Sequence, residues 1–156
     1  MALGEYSDLI EELKSDLVSL HVAPALLGTG YYDEAGLKAV YADGVRRTLQ
    51  RVEPRRSQPY QTMQLMQMNY FFEKEMLGWD AEAGKLRIDY ERYPETVSAM
   101  LSEVLAIQSA GDAERAAEFI ERYGGWDESV HGVLADNISA ASKYRYRLVS
   151  YAALGE

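Results

Sequence analysis

The chain has 156 residues, no cysteine, and 25 Asp and Glu against 16 Lys and Arg, for a net charge of −9. Its length suits one domain, which at this size buries roughly 68–70% of its extended surface, enough for a core without a disulfide or structural metal. The missing cysteines exclude disulfides and thiolate zinc sites, the acidic balance argues against nucleic acid as a partner, and no run of about 18 apolar residues is present to span a membrane.

The first residues, Met1-Ala2-Leu3-Gly4, lack the basic and apolar regions of a secretory signal. Together with the absence of cysteine this leads to the expectation of a cytoplasmic protein. A helix is expected over residues 7–21, capped by Ser7 or Asp8, whose short oxygen side chains satisfy free N–H groups. Leu9, Ile10, Leu13, Leu17 and Leu20 recur at helical spacing and form its buried stripe. The helix begins almost at once, which fits a truncated chain or a lone domain. Pro24 and Gly28-Thr29-Gly30 should break it.

A second helix is expected over residues 33–51, with Leu37, Val40, Tyr41, Val45 and Leu49 on its apolar side and Gly44 weakening it by about 1 kcal/mol relative to Ala. A loop with Pro54 and Pro59 follows. The third helix, residues 60–77, is apolar around most of its circumference and should be central. Leu86, Ile88 and Tyr90 alternate with polar residues, giving a hairpin over residues 77–90 that turns at Ala83-Gly84. Pro94 opens a fourth helix over residues 94–110, striped by Val97, Met100, Leu101, Val104, Leu105 and Ile107. Gly111 ends it. Asp112 caps a fifth helix over residues 113–123, stopped by Gly124-Gly125. A short helix over residues 127–136 and a helical tail over residues 138–154 complete a mostly α single domain, 1–156, of about six helices and one small two-stranded hairpin.

Within the first helix, Glu11-Glu12-Leu13-Lys14-Ser15-Asp16 followed by Leu17-Val18-Ser19-Leu20 resembles the Glu-Glu-x-Arg-Ala-(Asp/Glu)-Leu-Val-Ala-Leu motif of the dipeptidyl peptidase III family of zinc metallopeptidases. The likeness continues in order. It includes Ala39-Val40-Tyr41-Ala42-Asp43-Gly44-Val45-Arg46-Arg47, Gln50-Arg51-Val52-Glu53-Pro54 and Lys85-Leu86-Arg87-Ile88-Asp89-Tyr90. It also includes Ile107-Gln108-Ser109-Ala110-Gly111-Asp112 with the residues before it, and Ala116-Ala117-Glu118-Phe119-Ile120-Glu121-Arg122-Tyr123-Gly124. It covers residues 4–125, and the tail only weakly.

The resemblance implies that Glu12 is a zinc ligand and that Glu11 and Asp16 are carboxylates flanking the metal site. In the family two further ligands come from a His-Glu-x-x-x-His or His-Glu-x-x-Gly-His helix, which this chain lacks; its histidines are His21 and His131. The general base that takes a proton from the metal-bound water belongs to that same missing helix. A second departure lies on the third helix, where the family's Ala-His-Met-x-x-Arg pattern is matched by Gln61-Thr62-Met63-Gln64-Leu65-Met66. Thr62 stands for the histidine and Met66 for the arginine.

The expected function is therefore a fragment or shortened homologue of a zinc-dependent dipeptidyl-peptidase-like hydrolase. It would supply the glutamate-ligand helix, hold no catalytic residue, and bind zinc and a peptide substrate only in a full-length parent. The alternative is a stand-alone helical interaction module that binds a partner or self-associates.

Other readings stay open on the residues alone. The carboxylates of the first helix are also what a solvated face looks like. The Met63/Met66/Met68 group with Tyr70, Phe71 and Phe72 suits a core or a peptide groove. His21 lies about 14 Å along the helix from Glu12, too far to share a metal, and is expected to be partly buried near the helix end. Glu128-Ser129-Val130-His131 matches one element of a di-iron bundle, a fold that needs several more ligands. The Tyr144-Arg145-Tyr146-Arg147 tail suits packing against the acidic first helix better than nucleic-acid stacking.

Overall fold

The computed structural model describes residues 2–54 and 59–141. A single turn of tighter 3-10 helix, Gly4–Tyr6, leads into α1, Ser7–Gly28. Tyr6 stands at the cap position with no side-chain bond, and Ser7 and Asp8 fall inside the helix. Pro24 does not break α1, contrary to the expectation. Proline in a helix interior removes one backbone bond, at a cost of about 3 kcal/mol. Here Leu20 and Ala23 on the preceding turn are buried at 3% and 2% exposure, and that packing carries the helix through.

The second helix, α2, spans Glu34–Thr48 and is capped by Asp33, whose carboxylate accepts the Gly36 N–H at 2.7 Å. Gly44 in its middle is explained by packing. A Cβ there would collide with the Tyr93 hydroxyl and press on Leu20 Cδ2 at 3.2 Å. The glycine thus admits a tyrosine from α4, and Tyr93 stacks on Tyr41 with ring centroids 4.2 Å apart.

The third helix, α3, runs Pro59–Glu73. Thr62, Met63, Leu65, Met66, Gln67, Met68, Tyr70 and Phe71 are all buried, so the helix is central and the methionine group is core. It ends four residues sooner than expected because Leu77 pairs in the hairpin instead. Strands β1, Leu77–Asp80, and β2, Lys85–Ile88, are antiparallel with Leu77 opposite Ile88 and Trp79 opposite Leu86. Trp79, Leu86 and Ile88 lean on the helical core, which such a marginal hairpin requires.

Helix α4, Tyr93–Ala110, buries Val97, Met100, Leu101, Val104 and Ile107. Leu105, expected in that stripe, is 43% exposed. Gly111 takes the left-handed conformation (φ 63°) that closes the helix, and Asp112 caps α5, Ala113–Tyr123, by accepting the Arg115 N–H at 3.0 Å. The expected helix over residues 127–136 is a π-helical turn, Glu128–Gly132, running directly into α6, Val133–Ala141. The Tyr144–Arg147 segment lies outside the described residues.

Helix α1 packs against α2, α3 and α4 and is the axis of the domain. The bonds His21–Ser98 and Glu11–Gln108 show that α1 and α4 run antiparallel. Tyr60–Glu12 and Gln67–Asp16 show that α1 and α3 run parallel. Ile10, Leu13 and Leu17 of α1, at 0% exposure, meet Met66, Tyr70, Phe71, Tyr93, Val97 and Met100 in one core. Among the described residues no helix is long and apolar enough to cross a membrane.

Candidate functional site

The three carboxylates singled out on α1 point to different neighbours. Glu11 is exposed; Lys14 Nζ bonds its Oε1 at 2.6 Å and Gln108 Nε2 of α4 bonds its Oε2. Those two donors, Lys14 first, hold its carboxyl below the usual range. Asp16 is nearly covered, with a side chain 13% exposed. Its Oδ1 receives Arg47 of α2 at 2.7 Å and its Oδ2 receives Gln67 Nε2 of α3 at 2.7 Å. Both oxygens of Glu11 and both of Asp16 are thus engaged.

Glu12 differs. Its Oε1 accepts a bond from the Tyr60 hydroxyl at 3.2 Å. Its Oε2 carries no hydrogen bond among the described residues, and no cation pairs with it there. The Glu12 carboxylate raises the Tyr60 phenol above its usual range by accepting its hydrogen bond and by its charge. Of the three, Glu12 is the carboxylate with an oxygen that no described residue bonds. Ile10 and Leu13 on either side are buried at 0% exposure, so the backbone that presents Glu12 is fixed by the core.

The remaining expected donors are elsewhere. His21 is exposed on the body of α1 rather than partly buried at its end. Its Nδ1 lies 3.0 Å from Ser98 Oγ, whose own hydrogen goes to the Pro94 carbonyl at 2.7 Å. His21 therefore donates from Nδ1. His131 is buried at 6% exposure and bonds Asn69 Oδ1 through Nε2 at 2.7 Å. Glu128, its neighbour in the Glu-x-x-His pattern, instead takes Arg51 at 3.0 Å and the Trp126 indole N–H at 2.8 Å. That pattern is a structural turn.

A zinc site of the peptidase type takes two imidazoles and one carboxylate and leaves a position for water. The donor set here does not fit it. Among the described residues no three His, Asp or Glu side chains converge as metal ligands. Thr62 and Met66 are both buried inside α3, at 9% and 0% exposure, and face the core rather than a cleft.

The carboxylates' partners were not foreseen from sequence. Gln67 is 1% exposed, and an amide set between Leu65, Met66 and Met68 is the one signal that could have marked it as a bonded core polar group. Tyr60, Arg47 and Gln108 carry no such signal, because their pairing depends on how three helices meet.

No family model matches the sequence. Nudix hydrolase 3 of Arabidopsis thaliana is 23% identical over 121 residues, which are 78% of this chain and 16% of that protein. The structure of DPP III from Caldithrix abyssi superposes with a TM-score of 0.74 at 23% identity, covering 88% of this chain and 26% of that one. Dipeptidyl-peptidase III from Corallococcus sp. strain EGB gives a TM-score of 0.70 at 21% identity, again over 88% of this chain and 26% of that one. The chain thus spans about a quarter of the length of these solved structures. Two independent dipeptidyl peptidase III structures share one arrangement with it, and the described residues form a dipeptidyl peptidase III-like helical domain.

Proposed function

We propose that this chain forms one wall of the cleft of a zinc-dependent dipeptidyl-peptidase-like hydrolase. In this reading Glu12 is its carboxylate toward the metal, Glu11 and Asp16 are the flanking carboxylates, and the chain alone does not hydrolyse peptides. The observation that carries it is Oε2 of Glu12, unbonded among the described residues, on a dipeptidyl peptidase III-like helical domain. Zinc and a peptide substrate belong to an assembly that also supplies imidazoles. The reading places the protein in the cytoplasm, which a cysteine-free chain suits.

The test is hydrolysis of dipeptidyl substrates by the purified chain, with and without added zinc. No zinc-dependent rate is expected. A rate that a chelator abolishes and Glu12→Ala removes overturns the inactivity of the isolated chain. The positive half is tested by supplying, in trans, a helical segment bearing His-Glu-x-x-x-His. Zinc held by the mixture and lost on Glu12→Ala supports the ligand role, and zinc held equally by the variant refutes it.

A second reading, a helical module that self-associates, is favoured by Val18 and Val22 of α1 and Leu105 of α4, exposed at 40%, 43% and 43%. Val18 and Leu105 lie in the stretch of α1 and α4 bounded by the Glu11–Gln108 and His21–Ser98 bonds, and Val22 directly follows His21. Light scattering across concentrations separates the two: a mass that stays monomeric excludes self-association.

A further inference from the structure

His131 is the buried histidine of the chain, and its two ring nitrogens have fixed and opposite roles. Nδ1 accepts the backbone N–H of Asp127 at 2.7 Å. That leaves Nε2 to carry the proton, which it donates to Asn69 Oδ1 at 2.7 Å. The amide of Asn69 is oriented independently, because its Nδ2 donates to the carbonyls of Tyr123 and Gly125, both at 2.8 Å. One neutral tautomer therefore satisfies four bonds that join α3, the end of α5 and the entry to α6.

A proton added at Nδ1 would set a donor against the Asp127 N–H at 2.7 Å. Among the described residues no carboxylate bonds the ring to compensate. The Asp127 carboxylate turns its Oδ1 to the Ser129 N–H and hydroxyl, at 2.9 and 2.7 Å, and acts on the ring by charge without bonding it. Glu128 is held by Arg51 and Trp126, and Arg51 also reaches Glu53 and Asp136. From α3 the nearest acid along the helix is Glu73, which is held by Arg122 and Tyr123 of α5. Trp126 covers the ring, with centroids 5.2 Å apart. Burial accordingly holds the imidazole below its ordinary titration range, against a smaller opposing pull from Asp127.

We propose that His131 is an acid-sensitive latch: neutral, it fastens the α5–α6 connection and the start of α6 onto Asn69 of α3, and protonation releases that segment while α1–α4 stay packed. Leu134 belongs to the core and Ala135 is buried beside it, so release uncovers apolar surface on α6 and on the helix it leaves. The direction of the pH dependence follows from the two states. The released ring titrates near its ordinary value of about 6.5 and the fastened ring lower, so the latch is full above about pH 6.5 and is lost as pH falls through the fastened value. The latch is independent of any metal role for Glu12.

The experiment is amide hydrogen exchange on the full chain between pH 7 and 5, corrected for intrinsic rates, with the His131 ring followed by NMR. Protection of residues 130–141 is expected to fall by up to about tenfold per pH unit over the linked range, with α1 and α4 unchanged. The ring should show the Nε2–H tautomer and titrate below the ordinary histidine value of about 6.5. His131→Gln, which cannot titrate, should abolish the pH dependence; if that variant does not fold, the wild-type profile decides alone. Three outcomes overturn the latch: protection that does not change with pH, loss spread equally over α1 and α4, or the same dependence retained in His131→Gln.

Discussion

Asp16 of α1 and Gln67 of α3 are joined by a 2.7 Å hydrogen bond, and the same carboxylate receives Arg47 of α2 at 2.7 Å. One side chain therefore ties three helices together. A charged acceptor gives both bonds more strength than neutral partners would. The resemblance places Asp16 beside a metal, but its present contacts are enough to explain it as a structural clasp.

Asp16→Ala is expected to destabilise the fold by about 1–3 kcal/mol, because it leaves the buried Gln67 amide without an acceptor. Glu11→Gln, at an exposed position, should leave the midpoint of urea unfolding unchanged. Equal effects of the two substitutions would show that Asp16 is not the clasp.

Gly44→Ala should destabilise even though alanine is the better helix former. The propensity gain of about 1 kcal/mol is opposed by a collision with Tyr93, and overpacking of this kind costs about 1–3 kcal/mol. The Tyr93 hydroxyl is buried with no hydrogen-bond partner among the described residues. Tyr93→Phe alone should therefore be neutral or stabilising, and in combination it should rescue Gly44→Ala. Additive effects in a double-mutant cycle would contradict the contact.

The Glu12–Tyr60 bond is tested by titrating Tyr60 with ¹³C-labelled tyrosine. The phenol is held above its ordinary value of 10.0 by the Glu12 carboxylate. Glu12→Gln should move it down toward that value and leave Tyr41, raised by burial alone, where it is. A Tyr60 signal indifferent to the substitution would mean that the bond does not persist in solution.

Asp112→Ala should cost about 1 kcal/mol, since the carboxylate satisfies a free N–H at the start of α5. Denaturant unfolding measures it, and Asp112→Asn should recover most of the loss.

The helices were legible because their signals are local. The Leu and Val spacings of α1 and α4, Asp33 and Asp112 at helix starts, and Gly111 at a helix end each act within one turn of themselves. The departures have non-local causes. Pro24 reads as a break until the burial of Leu20 and Ala23 is known. Gly44 reads as a weakness until Tyr93 is placed against it. Leu105 fits the apolar spacing of α4, yet it stays 43% exposed. Within the candidate site, sequence likeness picked out Glu11, Glu12 and Asp16. It could not divide them, because the division rests on Gln108, Tyr60, Arg47 and Gln67, which arrive from three other helices.

That division has an evolutionary consequence. Folding alone disfavours the loss of the acid at position 16, because Arg47 and Gln67 depend on it. Position 12 is under no such obligation, since among the described residues Glu12 makes one 3.2 Å bond, to an exposed tyrosine, and could drift to Gln or Ser with the core intact. Among descendants of this sequence, an acid kept at position 16 would record selection for stability. A glutamate kept at position 12 would record selection for chemistry, and its decay would date the point at which a lineage gave that chemistry up.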